Sequence, residues 1–376
     1  MLRPQCMPSL GKDDASSNPD GIKAQPLKFA DVPAHFRSNW SSYQVEALVL
    51  AILSIYMLNY LAGRASNQAI AFSWVADMRE LLEEQFSVVG DDGLSDAPTT
   101  GQLQRDTDSV FGLWCTGRAG VNGCLINVRT VKRHDLVSRI WGYFTRQTDR
   151  ITMTFDVEPN ELDTYVLALG QRKPANRLYK ELLDVSQFTV EKKVGSLPAS
   201  FSLFAESSEA TQCLLDPAVV GLLKKYEHLV EYIHISDQFT GPKPPDGETL
   251  TRLPEPKRVM AFAFVLEKQD EEGKQAQEEL LQMVFYLLDK MRRFKLSREA
   301  KTKADKRRQA VQEAFLKTNH QARQEAAQAR REEKTRERKQ RLLDEEDPEK
   351  QRRLEKMEFK REQKNKQPKI KQLKMK

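Results

Sequence analysis

Cysteine and histidine are scarce in these 376 residues. The four cysteines, Cys6, Cys115, Cys124 and Cys213, are widely spread, with no CxxC and no histidine at ligand spacing. That pattern argues against a zinc site and against a disulfide framework. Cys115 and Cys124 are near enough in sequence to oppose each other across a turn, but buried free thiols in a reducing compartment account for them more simply. The histidines, His35, His134, His228, His234 and His320, form no HExxH and no His/Cys cluster, and no nucleophile elbow is present. His234 sits in a strand-like run and reads as a half-buried structural residue. GxxxxGK[ST] and GxGxxG are also missing, so GLWCTGRAGVNGCLINVRTV, with Gly112, Gly117, Gly120 and Gly123, reads as a glycine-rich turn into a strand. No reaction is identified, and no enzymatic activity, cofactor or metal is expected.

Long apolar runs are equally rare, and the exception lies near the start. Ala47 to Ala62 reads ALVLAILSIYMLNYLA, sixteen residues without a formal charge. At 1.5 Å per residue that is about 24 Å, and Tyr43 to Gly63 spans roughly 31 Å, enough for a hydrocarbon core of about 30 Å. Trp40, Tyr43 and Tyr60 suit the interfaces, and Glu46 lies close enough to one end to reach water. A core helix would keep a polar stripe, and this run has almost none. Lys28 and Arg37 before the run balance Arg64 and Arg79 after it, so charge gives no orientation. Met1 to Asn39 holds no apolar run of signal-peptide length, and the sequon at Asn39 almost touches the span.

Charge is abundant but unevenly placed. Asp289 to Lys376 carries 31 Lys/Arg against 16 Asp/Glu, and the remainder carries 29 against 38. A basic tail behind a mildly acidic body points to a polyanion, either nucleic acid or an anionic membrane surface.

Between these ends the periodicity is mixed. Ala69 to Phe86 is an amphipathic helix, with Ile70, Trp74, Met78, Leu81, Leu82 and Phe86 on one side, ending in a turn at Val88 to Gly93 where Asp91 and Asp92 serve Asx-turn chemistry. Strands are expected at Ile151 to Val157, Thr164 to Leu169, Tyr232 to Ile235 and Val259 to Leu266, with helices at His134 to Phe144 and Pro174 to Phe188. The proline- and glycine-rich stretch from Gly241 to Pro256 separates the last two strands. The result is an α+β domain without repeats.

From Glu278 a helical pattern takes over, and Leu280, Leu281, Val284, Leu287, Leu288, Met291 and Phe294 pack it on the body. The stripe then thins to Ala304, Val311, Phe315 and Leu316, and Lys317 to Arg341 has no large aliphatic or aromatic side chain. Such a stretch buries no face and stands free or lies on something charged. The pairs Glu332–Arg336 and Glu337–Arg341 each contribute only about 0.2–0.5 kcal/mol, so the helix is marginal alone and firm when docked. True heptads are absent, which disfavours a self-associating coiled coil. Asp344-Glu345-Glu346-Asp347 opposes a helix C-terminus, whereas Asp347 as N-cap and Pro348 at the first helical position start a new one. One helix therefore ends near Leu343 and another begins at Pro348. Phosphate contact suits the tail better than base stacking, since Phe359 is the one aromatic residue beyond Phe315. The organisation expected is a disordered segment at 1–42, a single transmembrane helix at 43–63, the α+β domain at 66–277, and a long, basic, broken helical region at 278–376.

Several stretches together resemble one family: FSVVGDDG, LWCTGRAGVNGCL, DTYVLALGQRK, HISDQFTGPK, the run from FKLSREAK to QARREEK, and DEEDPEKQRRLE. They are similar to calumin, the coiled-coil subunits of the PAT (protein associated with the translocon) complex, from about Phe29 to the end. The resemblance implies a single-pass protein of the endoplasmic reticulum membrane, with its N-terminus lumenal and its α+β domain cytosolic. It implies a non-enzymatic role beside the Sec translocon with the small multi-span partner Asterix, as an intramembrane chaperone for nascent multi-pass proteins. It further implies a C-terminus against ribosomal RNA and protein at the tunnel exit, and roles in calcium homeostasis and ER-associated degradation. On that basis Arg330, Arg331, Arg336, Arg338, Lys339, Lys350, Arg352, Arg353, Lys356, Lys360 and Arg361 are the expected ribosome-binding residues, with Asp347 and Pro348 at the helix break. The alternative is a membrane-anchored scaffold whose basic tail binds anionic lipid. The family begins with a signal peptide and an acidic lumenal segment, and Met1 to Asn39 carries neither, so low-affinity calcium binding by such acids has no counterpart in these residues.

Overall fold

The computed structural model describes residues 43–91, 101, 103–145, 147–244, 254–267, 270–343 and 348–366. The segment 1–42, Asp92, Gly93, most of the proline-rich stretch, Asp347 and the last ten residues fall outside them. The chain divides into two units, Met1–Leu58 and Asn59–Lys376.

In the first unit the described residues are helical from Gln44 onward. Val45, Leu48, Leu50, Ile52, Leu53, Ile55 and Leu58 are all at least half exposed. The helix they belong to, α1 (Gln44–Gln85), is among the described residues the one helix long and apolar enough to cross a membrane. No proline or turn residue interrupts it between Gly63 and Ser66, so the expected span and the amphipathic helix after it are one element.

In the second unit α1 changes character. Gly63, Asn67, Ala71, Trp74, Met78 and Leu82 are buried at intervals of three and four residues, the stripe a packed helix needs. They cover one face of a sheet whose strands are β1 (Val88–Val89), β2 (Gln104–Thr107), β3 (Val110–Thr116), β4 (Val121–Arg129), β5 (Arg150–Val157), β6 (Val166–Gln171), β7 (Val190–Lys192), β8 (Phe201–Ala205), β9 (Val230–Phe239) and β10 (Lys257–Val265). The order is β1-β3-β4-β5-β10-β9-β6-β8-β7, with β2 also on β3, and every described pairing is antiparallel. Val88 and Val89, expected in a turn, pair with Thr116 and Cys115 instead; the turn comes at Gly90, whose φ of 83° suits glycine.

Helices α2 (Leu136–Thr145), α3 (Arg172–Glu181), α4 (Leu183–Phe188), α5 (Ser208–Leu214), α6 (Pro217–Lys225) and α7 (Glu271–Arg293) complete the body. Period-2 alternation decides which face each strand residue serves. In β5, Ile151, Met153, Phe155 and Val157 join the main core with α1, α5, α6 and α7, while Thr152 and Thr154 point the other way and are half-buried. At β6, Leu167 and Leu169 enter that core, but Val166 and Ala168 face a second cluster with Ala175, Val185, Phe188 and Phe204. The sheet is thus covered on both faces around β6. Phe155 anchors the main core, its ring edge-on to Phe262 at 5.8 Å and to Phe285 at 6.4 Å and stacked with Phe86 at 6.5 Å. Cys115 and Cys124 are cross-strand partners and free thiols; burial pushes the Cys115 thiol up to about 12 and that of Cys124 well above its ordinary value. Gly123 lets the Trp114 indole lie flat across β4, since a Cβ there would come 2.5 Å from Trp114 Cζ2.

Candidate functional site, the basic arm and its root

The helix leaving α7 is α8 (Arg298–Leu343), followed by α9 (Pro348–Lys366). Its root is held by acids of the body. Asp163 Oδ2 accepts the Leu296 N–H at 2.9 Å, Oδ1 accepts the Thr164 N–H at 2.9 Å, and Lys301 Nζ lies 3.2 Å from Oδ1. Burial works against the Asp163 carboxylate, but these donors outweigh it and hold its pKa below the ordinary value. Ser297 then caps α8: its Oγ accepts the Ala300 N–H at 3.3 Å, while its own N–H and hydroxyl donate to the two Glu209 oxygens at 2.9 and 2.7 Å.

About three turns beyond Ser297, Arg308 binds two carboxylates at once. Its Nε and Nη2 donate to Asp237 at 2.9 and 2.6 Å, and its Nη1 and Nη2 donate to the Glu206 oxygens at 3.1 Å each. The guanidinium lies over the Phe188 ring at 5.3 Å. All three charged side chains are nearly out of water, with Asp237 only 2% exposed. Burial pushes the Glu206 carboxyl above its ordinary value in spite of Arg308. In the sequence nothing but its neighbours distinguishes Arg308 within the run Lys306-Arg307-Arg308. The missed signal is spacing: Ala304 and Val311, both on the root, put Arg308 on the same helix face.

Past Phe315 every described side chain of α8 is exposed except half-buried Asn319. Arg330, Arg331, Arg336 and Arg338 are exposed there, and Lys339 is helical with its side chain outside the description. By position, Arg323, Arg330, Arg331, Lys334, Arg338 and Arg341 fall within an arc of about 100°. In α9, Lys350, Arg352, Arg353, Lys356 and Lys360 are exposed and Arg361 is helical. Arg352, Arg353, Lys356 and Lys360 again share about 100° of the helix surface. Helix α8 ends at Leu343 and α9 starts at Pro348; the residues between, Asp347 included, are not described.

A second buried polar group lies in the body. His234, on β9, is fully buried rather than half-buried, and its Nε2 is 2.9 Å from Asp184 Oδ2 on α4. Burial opposes the Asp184 carboxylate, but His234 holds its pKa below the ordinary value, so the imidazole N–H donates. The pair is sealed inside the fold and ties α4 to the sheet.

Comparison with known proteins bears on the whole of this architecture. The profile of a family described as PAT complex subunit CCDC47 matches residues 42–365. The chain belongs to the PAT complex subunit CCDC47 family. The mouse member is 42% identical over 319 residues, covering 82% of this chain and 65% of the mouse protein. The human member is 41% identical over 320 residues, covering 82% of this chain and 66% of the human protein. The chain therefore spans just under two thirds of these PAT complex subunit CCDC47 relatives. A crystal structure of the mycobacterial trehalose monomycolate transport factor A, TtfA, superposes with 9% identity and a TM-score of 0.30 over 60% of this chain and 95% of that one, a similarity too slight to carry an inference.

Proposed function

We propose that this protein is a non-enzymatic subunit of the PAT complex at the endoplasmic reticulum membrane, working with Asterix beside the Sec translocon to assist nascent multi-pass membrane proteins. Family membership and the apolar half of α1 support the membrane placement; in this reading the N-terminus is lumenal and the α+β domain cytosolic. Roles in calcium homeostasis and ER-associated degradation belong to the same reading. The observation that carries the ribosome contact is the free, basic outer part of α8 with α9, built on a root that orders only its base. Two arcs of cations on bare helices suit RNA phosphates, which need charge and reach but no base readout. The basic residues of α8 and α9 act as the ribosome-binding set, and the break at Asp347-Pro348 lets two segments settle on different surfaces. The test is ribosome co-sedimentation of a variant with Arg352, Arg353, Lys356, Lys360 and Arg361 changed to Ala. Retention should weaken, and the salt slope should flatten by on the order of 0.7–0.9 for each phosphate no longer neutralised. Unchanged retention through a salt series rejects the reading. A tail that instead binds acidic vesicles as strongly as ribosomes favours the lipid-scaffold alternative, in which each cation near the surface contributes about 1 kcal/mol.

A further inference from the structure

Helix α2 is built inside out. Leu136, Val137, Ile140, Trp141, Tyr143 and Phe144 occupy one arc of about 160°, and Ser138, Arg139, Gly142 and Thr145 the rest. A surface helix of a soluble domain turns its apolar arc inward. Here Val137 is 71% exposed, Trp141 66%, Tyr143 84% and Phe144 76%, whereas Ser138 and Gly142 are half-buried against the body. Five large apolar side chains side by side on one short helix are an interaction surface, not scattered exposure.

The helix is also fastened at a particular place. The loop before it meets α1 at the C-terminal end of the apolar run, from Asn59 to Gly63. Asn59 Nδ2 donates to the Arg133 and His134 carbonyls at 3.4 and 3.3 Å, and Arg139 Nη1 donates to Asn59 Oδ1 at 2.8 Å. Gly63 admits the loop, because a Cβ there would overlap the Arg133 carbonyl. Arg133 in turn reaches Asn67 Oδ1 at 3.1 Å and both oxygens of Asp149 at 2.7 and 2.8 Å, and the Tyr60 ring meets His134 edge-on at 6.0 Å. Behind α2 a cleft is lined by Arg129, Lys132, Arg150 and Arg177 together with Val137 and Trp141. Arg150 is paired with Glu231 at 3.0 Å and Arg177 lies 4.0 Å from Glu181 on its own helix.

We propose that α2 is an interfacial membrane helix, lying in the headgroup layer of the same bilayer that α1 enters, with Val137, Ile140, Trp141, Tyr143 and Phe144 in the acyl boundary and the cleft cations facing lipid phosphates. Aromatic rings beside basic groups, on a short helix tied to the end of an apolar run, are the chemistry of a lipid interface, where such helices sink about 5–10 Å. A protein groove as occupant offers no reason for cations behind the apolar face. The proposal rests on α1 as a span, and the experiment separates the two. The full chain, with Cys6 and Cys213 changed to Ser, is reconstituted in phosphatidylcholine–phosphatidylserine vesicles and spin-labelled in turn through Ile140→Cys, Phe144→Cys, Leu53→Cys and Gln328→Cys. The ratio of oxygen to aqueous nickel-complex collisions should be high at 53, several-fold above the position-328 value at 140 and 144, and low at 328. Values at 140 and 144 equal to that at 328, with 53 still in lipid, overturn the proposal while leaving the span intact. Suppression of both collision partners at 140 and 144 means burial against protein and overturns it equally. A water-exposed label at 53 removes the span itself.

Discussion

Arg308 Nη2 lies 2.6 Å from Asp237 Oδ1 while the same guanidinium grips both oxygens of Glu206, so one α8 side chain joins the end of β9 to the residue after β8. Removing it strands two carboxylates in a site that excludes water. Arg308→Ala should cost about 3–5 kcal/mol in urea unfolding, and Arg308→Met combined with Glu206→Gln and Asp237→Asn should recover most of it. The pH dependence has a fixed sign. A carboxyl whose folded pKa is raised favours the folded state more as pH falls through that value. Without Arg308, Glu206 is raised further, so the deficit of Arg308→Ala should shrink between pH 7.5 and about pH 5. A deficit that stays constant over that range counts against the buried network.

Asp163 works in the opposite sense. Its carboxyl is held below the ordinary value of 3.8 by the Leu296 and Thr164 amides and by Lys301. Its contribution is therefore present above that value and disappears as pH falls through the lower folded one. Asp163→Asn should cost about 1.5–3 kcal/mol near neutrality and show a flatter acid limb than the parent chain. Hydrogen exchange checks its location, because the amides of Leu296 and Lys301 should lose protection before those of β5.

Gly123 and Trp114 make a pair testable by double-mutant cycle. Gly123→Val places carbon in the indole and should destabilise by about 1–3 kcal/mol. In a Trp114→Ala background the same change should cost less, by at least about 0.5 kcal/mol of coupling, as seen for residues that touch. Additive effects would mean that the indole is free to move aside.

Much of the body could be read from periodicity because its physics is local. Ile151 to Val157 alternates cleanly and forms β5 with one added residue, Arg150. Phe201 to Ala205 was missed for the opposite reason: all five residues are buried, so β8 shows no alternation. The short helices α5 and α6 gave too few turns to establish a period. Helix α7 starts at Glu271 rather than Glu278, since its first turns are acidic and its apolar stripe begins later. The free outer part of α8 was legible from the simple lack of anything to bury. Its root was not, because Arg308 is recognisable only once Glu206 and Asp237, far apart in sequence, are brought beside it by β8 and β9. The inverted face of α2 was hidden in the same way: its periodicity names a helix but says nothing of which side meets the body.

The unsupported length of α8 has a mechanical consequence. From Arg308 to Leu343 the helix rises about 52 Å, so a tilt of about 10° at the root sweeps the far end through about 9 Å. The Asp163, Glu209 and Arg308 contacts thus act as a fulcrum: the root from Ser297 to Arg308 is about 16 Å long, so a shift of about 1 Å there becomes about 3 Å at the far end. Gearing runs the other way too: a modest sideways load at Leu343 arrives at Ser297 and Arg308 multiplied by the ratio of the two distances, which makes the body a strain gauge for whatever the tip is holding.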